Sequence, residues 1–110
     1  MKKSTWKKAD VFPIIAHIIE QAHQQSTRLI TVVEIADRVL KNSEGRPHVE
    51  AARVLQERKR SLEWIATNMV SWFSKDITTG ESDWASAFQR DKVDGRWAYG
   101  PVDPVKRRAR

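Results

Sequence analysis

The chain has no cysteine, which excludes disulfides, a thiolate zinc site and a cysteine nucleophile, and agrees with a reducing compartment. With only four glycines it has no glycine-rich loop to cradle a phosphate. No apolar run approaches the ~20 residues of a membrane span. The start, MKKSTWKK and then VFPIIAHIIE, imitates a secretory leader only faintly. His17 and Glu20 cut its apolar part, and no small-residue cleavage site follows. No Ser-His-Asp arrangement and no paired carboxylates stand out, so neither an enzyme nor a cofactor is expected.

What is present suffices for one domain. The 110 residues are 40% hydrophobic, enough for a single modest core. Twenty Lys and Arg face fourteen Asp and Glu, a net charge of +6. Residues 1–10 hold four basic side chains and one acid, residues 101–110 hold the same, and residues 11–100 hold twelve of each. The excess charge therefore lies in the two ends. This division predicts a basic N-terminal arm over 1–9, a folded domain over 10–101 and a basic disordered tail over 102–110, in a cytoplasmic protein.

Hydrophobic periodicity outlines the elements. Val11, Ile14, Ile15, Ile18, Ile19 and Ala22 form a helical stripe. They predict a first helix over 11–25, capped by Asp10, with Pro13 tolerated in the first turn. Trp6 is expected to pack under it. Arg28-Leu29-Ile30 reads as a short strand. Thr31-Val32-Val33-Glu34 reads as a capping box. The helix it opens, TVVEIADRVLKN, gathers Val32, Ile35, Ala36, Val39 and Leu40 on one face and is stopped by Asn42–Pro47. Leu62, Ile65, Ala66, Met69, Val70, Phe73 and Ile77 form a further apolar face. Extended backwards, it reaches Leu55, Ala52 and Ala51 but also puts Arg58 and Lys59 on the apolar line. Two segments, 48–59 and 61–78, are therefore expected. After a loop at Thr78–Asp83, Trp84–Val93 leads into Asp94-Gly95 and then Arg96–Tyr99. Asp-Gly between strand-like runs predicts a two-residue hairpin turn. It pairs Val93 with Arg96, Lys92 with Trp97 and Arg90 with Tyr99. Phe88, Arg90, Lys92, Trp97 and Tyr99 then share one face.

The order helix, short strand, helix, helix, hairpin resembles a winged helix-turn-helix domain, a mainly α fold with a small β-hairpin (α+β). Thr5-Trp6-Lys7-Lys8-Ala9, the strand Arg28–Ile30 leading into TVVEIADRVL, and the terminal FQRDKVDGRWAYGP carry the resemblance, which covers residues 5–101. The TW start, the EIA helix and the Phe-x-Arg…Gly-x-Trp-Ala ending are also similar to the HARE-type helix-turn-helix family. One departure stands out. The turn between second and third helices is about 3–4 residues in the simple motif, whereas residues 41–61 separate Leu40 from Leu62 here. The third helix is thus extended, or another helix is inserted. The resemblance implies a duplex-DNA partner, with the third helix in the major groove and the hairpin as a wing along the backbone or minor groove. The protein would be a small regulator of transcription or an accessory factor, associated with the nucleoid.

The residues offer chemistry for that role. Opposite the apolar stripe lie Arg53, Arg60, Trp64, Thr67, Ser71 and Lys75, with Asn68 at the edge. Arg and Asn suit bidentate contacts with guanine and adenine edges, and hydroxyls reach phosphates or bases. Arg58-Lys59-Arg60 is the one compact basic cluster in the neutral body, placed at the entry to the candidate recognition helix, where cations position a protein on phosphates. On the hairpin, Arg96 fits a phosphate contact. Arg90 and Lys92 can contact phosphate or stack on Tyr99 and Trp97. Glu57 and Glu63 oppose an anionic partner. The competing reading is a solvated helix face with pairs such as Arg53–Glu57 and Glu57–Ser61.

Two further features were weighed. His17, Glu20 and His23 lie along one side of a helix, but no additional ligand is marked, so they read as surface or rim residues and not as a metal site. The five tryptophans raise the possibility of stacking on single-stranded bases. Placing Trp72 and Trp97 in the core argues against it and leaves Trp64 as a partner surface. The alternative function is a non-catalytic interaction module that forms a homodimer or docks another protein through its long third helix.

Overall fold

Capping, not periodicity alone, sets where the helices begin and end. A computed structural model of the chain describes residues 6–26, 29–55, 58–79 and 87–102. Among these, helices α1 (Lys8–Ser26), α2 (Val32–Lys41), α3 (Gly45–Leu55) and α4 (Leu62–Thr79) accompany strands β1 (Ile30–Thr31), β2 (Phe88–Val93) and β3 (Arg96–Pro101). The fold is mostly helical with a small antiparallel sheet, in agreement with the α+β expectation. No described helix is long and apolar enough to cross a membrane.

α1 starts ahead of the expected 11–25. The amides of Asp10 and Val11 both donate to the Lys7 carbonyl, at 3.0 and 3.1 Å. Asp10 is therefore not the cap. It lies in the first turn, where its charge suits the helix dipole. Pro13 consequently falls inside the helix, not in its first turn, and the Ala9 carbonyl loses its usual amide donor. Ala9 and Pro13 are both exposed, so water can satisfy that carbonyl. α1 touches α2, α3, α4 and β3, which is why Phe12 and Ala16 are buried in addition to the expected stripe. Trp6 packs against Phe12, with ring centroids 6.4 Å apart.

The capping box at α2 is present as expected. The Glu34 amide donates to Thr31 Oγ1 at 3.3 Å, and the Thr31 amide donates to Glu34 Oε1 at 3.2 Å. Thr31 serves a second purpose, because with Ile30 it forms β1. The strand is Ile30–Thr31 and not 28–30; Arg28 lies outside the described residues.

Asn42–Pro47 stops α2 as its composition predicts, but the same residues also start another helix. α2 ends at Lys41, and Asn42 Oδ1 at once accepts the amides of Glu44 and Gly45 at 2.8 and 3.0 Å, opening α3. Pro47 sits in the first turn of α3, where it costs no hydrogen bond. Gly45 is buried against α2, and a Cβ there would meet the Val39 carbonyl oxygen at 2.9 Å. Residues 45–79 form two helices, as the misplaced Arg58 and Lys59 required. α3 stops at Leu55, short of 59. Val49 and Ala52 anchor it, whereas Ala51 and Leu55, expected on the apolar line, are exposed.

α4 buries Ile65, Ala66, Met69, Val70 and Phe73 as its spacing predicts, with Leu62 and Ile77 at the margin. It also buries Asp76, whose Oδ1 lies 3.3 Å from Lys8 Nζ. The hairpin forms in the expected register, Val93 opposite Arg96, Lys92 opposite Trp97 and Arg90 opposite Tyr99. Asp94 and Gly95 take φ of 52° and 79°, the left-handed pair that a two-residue turn requires. β3 also pairs with β1, so the sheet order is β1-β3-β2. Phe73 joins the layers. Its ring meets Phe12 of α1 edge-on at 5.1 Å and Phe88 of β2 at 5.4 Å.

Gly45→Ala tests the α2–α3 junction. Its Cβ would press on backbone, which cannot swing aside. The variant should lose about 1–3 kcal/mol of stability, read as a lower urea midpoint at unchanged slope. An unchanged midpoint would show that the two helices separate freely.

Candidate functional site

The hairpin outruns the core. Ala98, Tyr99 and Gly100 are buried, but Arg96 and Trp97 are exposed. The sheet is anchored where Tyr99 reaches α4, its hydroxyl sharing a short hydrogen bond with the Ser74 hydroxyl. Beyond that anchor the hairpin, α4 and the start of α2 enclose an open groove of about 390 Å³. Ser71 and Ser74 of α4, Arg96 and Trp97 of β3, and Thr31 and Val33 line it. A second hollow of about 520 Å³ shares Thr31, Val33 and Arg96 with it and extends towards Leu29, Glu34, Val93 and Asp94.

Trp72 and Trp97 are not core residues. They are 40% and 41% exposed, and Trp64 is 41% exposed. Each of these indoles carries a cation. The Arg60 guanidinium lies 4.4 Å from the Trp64 ring centre. The Lys8 and Lys75 ammoniums lie 5.3 and 4.9 Å from Trp72. Arg90 and Lys92 lie 4.0 and 5.3 Å from Trp97. Arg90 thus stacks on its diagonal neighbour Trp97 and not on Tyr99 directly opposite, because Tyr99 is buried and bonded to α4. Strand alternation places Trp97 correctly beside Tyr99. It does not reveal that the sheet ends its contact with the core between them.

The other expected site residues fall into two groups. At the α3–α4 turn, Arg53 Nε donates to the Arg60 carbonyl at 3.1 Å and Arg58 Nε to the Val54 carbonyl at 3.2 Å, so both brace the turn. Lys59 is exposed. Glu57, and with it the pairs Arg53–Glu57 and Glu57–Ser61, lies outside the described residues. Ser61 Oγ instead accepts the Trp64 amide at 3.1 Å and caps α4. Along α4, Thr67 donates its hydroxyl to the Glu63 carbonyl at 2.7 Å and Ser71 to the Thr67 carbonyl at 2.9 Å. Asn68 is half-buried and Lys75 exposed.

The structure therefore gathers Ser71, Arg90, Lys92 and Arg96 around the groove, keeps Arg53, Arg58, Lys59 and Arg60 at the far end of α4, and sets Lys75 with Lys8 over Trp72. None of Arg60, Lys75, Arg90, Lys92 and Arg96 is ion-paired with a described carboxylate; the ion pairs present are Lys8–Asp76, Lys41–Asp37 and Arg46–Glu50. His17 and Glu20 are exposed and His23 is half-buried. Among the described residues no group of three His or acidic side chains is placed to hold a metal ion. Sequence reasoning missed the groove wall supplied by Thr31 and Val33, and the Ser74–Tyr99 bond that holds the hairpin on α4. The chain matches no protein-family model, no curated protein and no solved structure.

Tyr99→Phe removes the hydroxyl that ties the hairpin to α4. It should cost about 0.5–1.5 kcal/mol and speed amide exchange in β3 relative to α2. Equal acceleration in both elements would mean that this bond does not hold the hairpin in place.

Proposed function

We propose that the chain is a winged helix-turn-helix domain, similar to the HARE-type family, that binds duplex DNA through α4 and the β2–β3 hairpin. A short strand ahead of α2, closed into one sheet with a terminal hairpin, supports the winged-helix part of this reading. In it, α4 is the third helix, and α3 is the insertion that replaces the short turn. A small transcriptional regulator or accessory factor acting on the nucleoid is the setting this implies.

The observation that carries the DNA reading is the placement, at both ends of the outer face of α4, of cations that have no ion pair among the described residues. Arg60 lies beside Trp64 at one end. The hairpin, with Arg90, Lys92 and Arg96, docks at Ser74 towards the other. Trp64 and Ser74 are about 15 Å apart along the axis at 1.5 Å per residue, comparable to the ~12 Å width of the major groove. Cations so spaced can meet phosphates on both sides of a groove while the helix between them faces the bases. Thr67, Asn68 and Ser71 occupy that stretch. Asn68 has the donor–acceptor pair that adenine requires. The Thr67 and Ser71 hydroxyls, already donating within the helix, are left as acceptors. Glu63 at the N-terminal end disfavours phosphate and restricts how closely the backbone of DNA can approach there.

A second reading, a protein-docking or dimerisation module, draws on a different observation. Val54 and Leu55 at the end of α3 are 63% and 70% exposed, an aliphatic pair with no role in DNA contact.

Fluorescence anisotropy with a labelled duplex separates the two. The full chain should bind with affinity that falls steeply between about 50 and 200 mM salt. A chain ending at Val102 should retain binding with a shallower slope. Arg60→Ala and Arg96→Ala should each weaken binding and reduce the slope by about one. Absence of binding at low salt, with a dimeric mass by light scattering that Leu55→Ser abolishes, would favour the second reading and overturn the first.

A further inference from the structure

We infer that Trp97 is a stacking platform for an unpaired base, so that the preferred ligand is duplex DNA carrying a single-stranded extension. The inference rests on the DNA reading above and adds a ligand class to it.

An indole is among the largest apolar groups a chain can bury, yet Trp97 is 41% exposed while its neighbours Ala98 and Tyr99 are buried. It fills no core and anchors no helix. It is nonetheless held in place. The Arg90 guanidinium lies 4.0 Å from the ring centre and the Lys92 ammonium 5.3 Å, both from the strand paired beside it.

The surroundings define what can cover it. Arg90, Lys92 and Arg96 are free of carboxylate partners among the described residues. Asp91 lies between the two β2 cations in sequence. Strand alternation turns its side chain to the other face, and its Oδ1 accepts the Lys92 amide at 2.8 Å. A half-exposed indole that lines a groove and already carries a stacked guanidinium suits a ligand that is itself flat, aromatic and joined to anions. A nucleobase with its phosphates has that composition. A base inside a duplex does not fit, because both of its faces are covered by neighbouring base pairs and only its edges are open. An unpaired base offers a free face, and base–aromatic stacking tolerates any sequence.

The other exposed indoles lack this setting. Trp72 is flanked by two ammoniums, one of them held by Asp76. Trp64 lies at the far end of α4, away from the groove. Trp97 lines the groove together with Ser71, one of the α4 residues assigned to the duplex. An unpaired strand leaving a duplex on α4 would therefore pass over it.

The test compares a blunt duplex, the same duplex with a short thymidine extension at either end, and the free single strand, each bound to the full chain. The extended duplex should bind about tenfold tighter than the blunt one, the size of one stacked base. Trp97→Leu should abolish that ratio and Trp97→Phe should retain most of it, the ratio being taken in each protein against its own blunt-duplex affinity. Equal binding of blunt and extended duplexes, or a ratio that survives Trp97→Leu, would overturn the inference while leaving duplex binding intact. Failure of the unsubstituted chain to bind any of the ligands would overturn the duplex reading and this inference together.

Discussion

Phe73 is the side chain through which the elements acquire fixed positions. It stands two-thirds of the way along α4 and meets Phe12 of α1 on one side and Phe88 of β2 on the other, edge-on in both cases. Such contacts add about 0.5–1.5 kcal/mol each beyond the area they bury. Their directional preference matters more here than their energy. An edge-on ring admits few rotations, so the start of β2 is fixed relative to the axis of α4. The Tyr99–Ser74 bond, at the residue that follows Phe73 on α4, then fixes β3. Two points of attachment define the angle at which the hairpin leaves the body. The groove between hairpin and α4 exists because both points lie on the same helix.

Much of this was readable in the sequence, and the reasons are local. The Asp94-Gly95 turn and its register follow from backbone stereochemistry, since these residue types supply the left-handed pair cheaply. The capping box at Thr31 is equally local. The apolar face of α4 is legible because a helix packed on one side obeys a single period. The boundaries that failed depend on partners remote in sequence or on side chains with two uses. Asn42 looks like a terminator and also serves as an N-cap, and only the burial of Gly45 against Val39 decides for a new helix. α1 departs from a narrow stripe because it is covered from several sides. Lys8 extends it towards the N-terminus by reaching Asp76, a pairing across sixty-eight residues that no window on the chain contains.

The candidate site was less legible than the fold for a related reason. Residue types were found, but their grouping was not. Arg58-Lys59-Arg60 reads as one basic cluster and Arg53 as part of the outer helix face, yet Arg53 and Arg58 each spend a guanidinium nitrogen on bracing the turn between α3 and α4. Trp97 and Tyr99 alternate onto the same face of β3 and were assigned the same fate. Alternation defines faces and is silent on where along a strand the core stops. Here it stops between them.

Net charge misleads in the same way. The body of the chain between its two basic ends sums to zero, which argues against an anionic partner if charge is averaged over the molecule. Charge is not averaged at that scale. At physiological ionic strength the screening length is about 8 Å, so the potential over the hairpin is set by the groups within roughly that distance. Those include Arg90, Lys92 and Arg96, while carboxylates such as Asp37 and Glu50 are paired with Lys41 and Arg46 on other helices. The hairpin also carries Asp91 and Asp94, so it holds three cations against two acids, and Glu34 and Asp94 border the hollow beside Arg96. Arg90 and Lys92 are held over the Trp97 ring, which fixes where two of the three cations meet a ligand. The field that a ligand meets at the hairpin thus depends on where these few groups sit more than on the total charge of the chain.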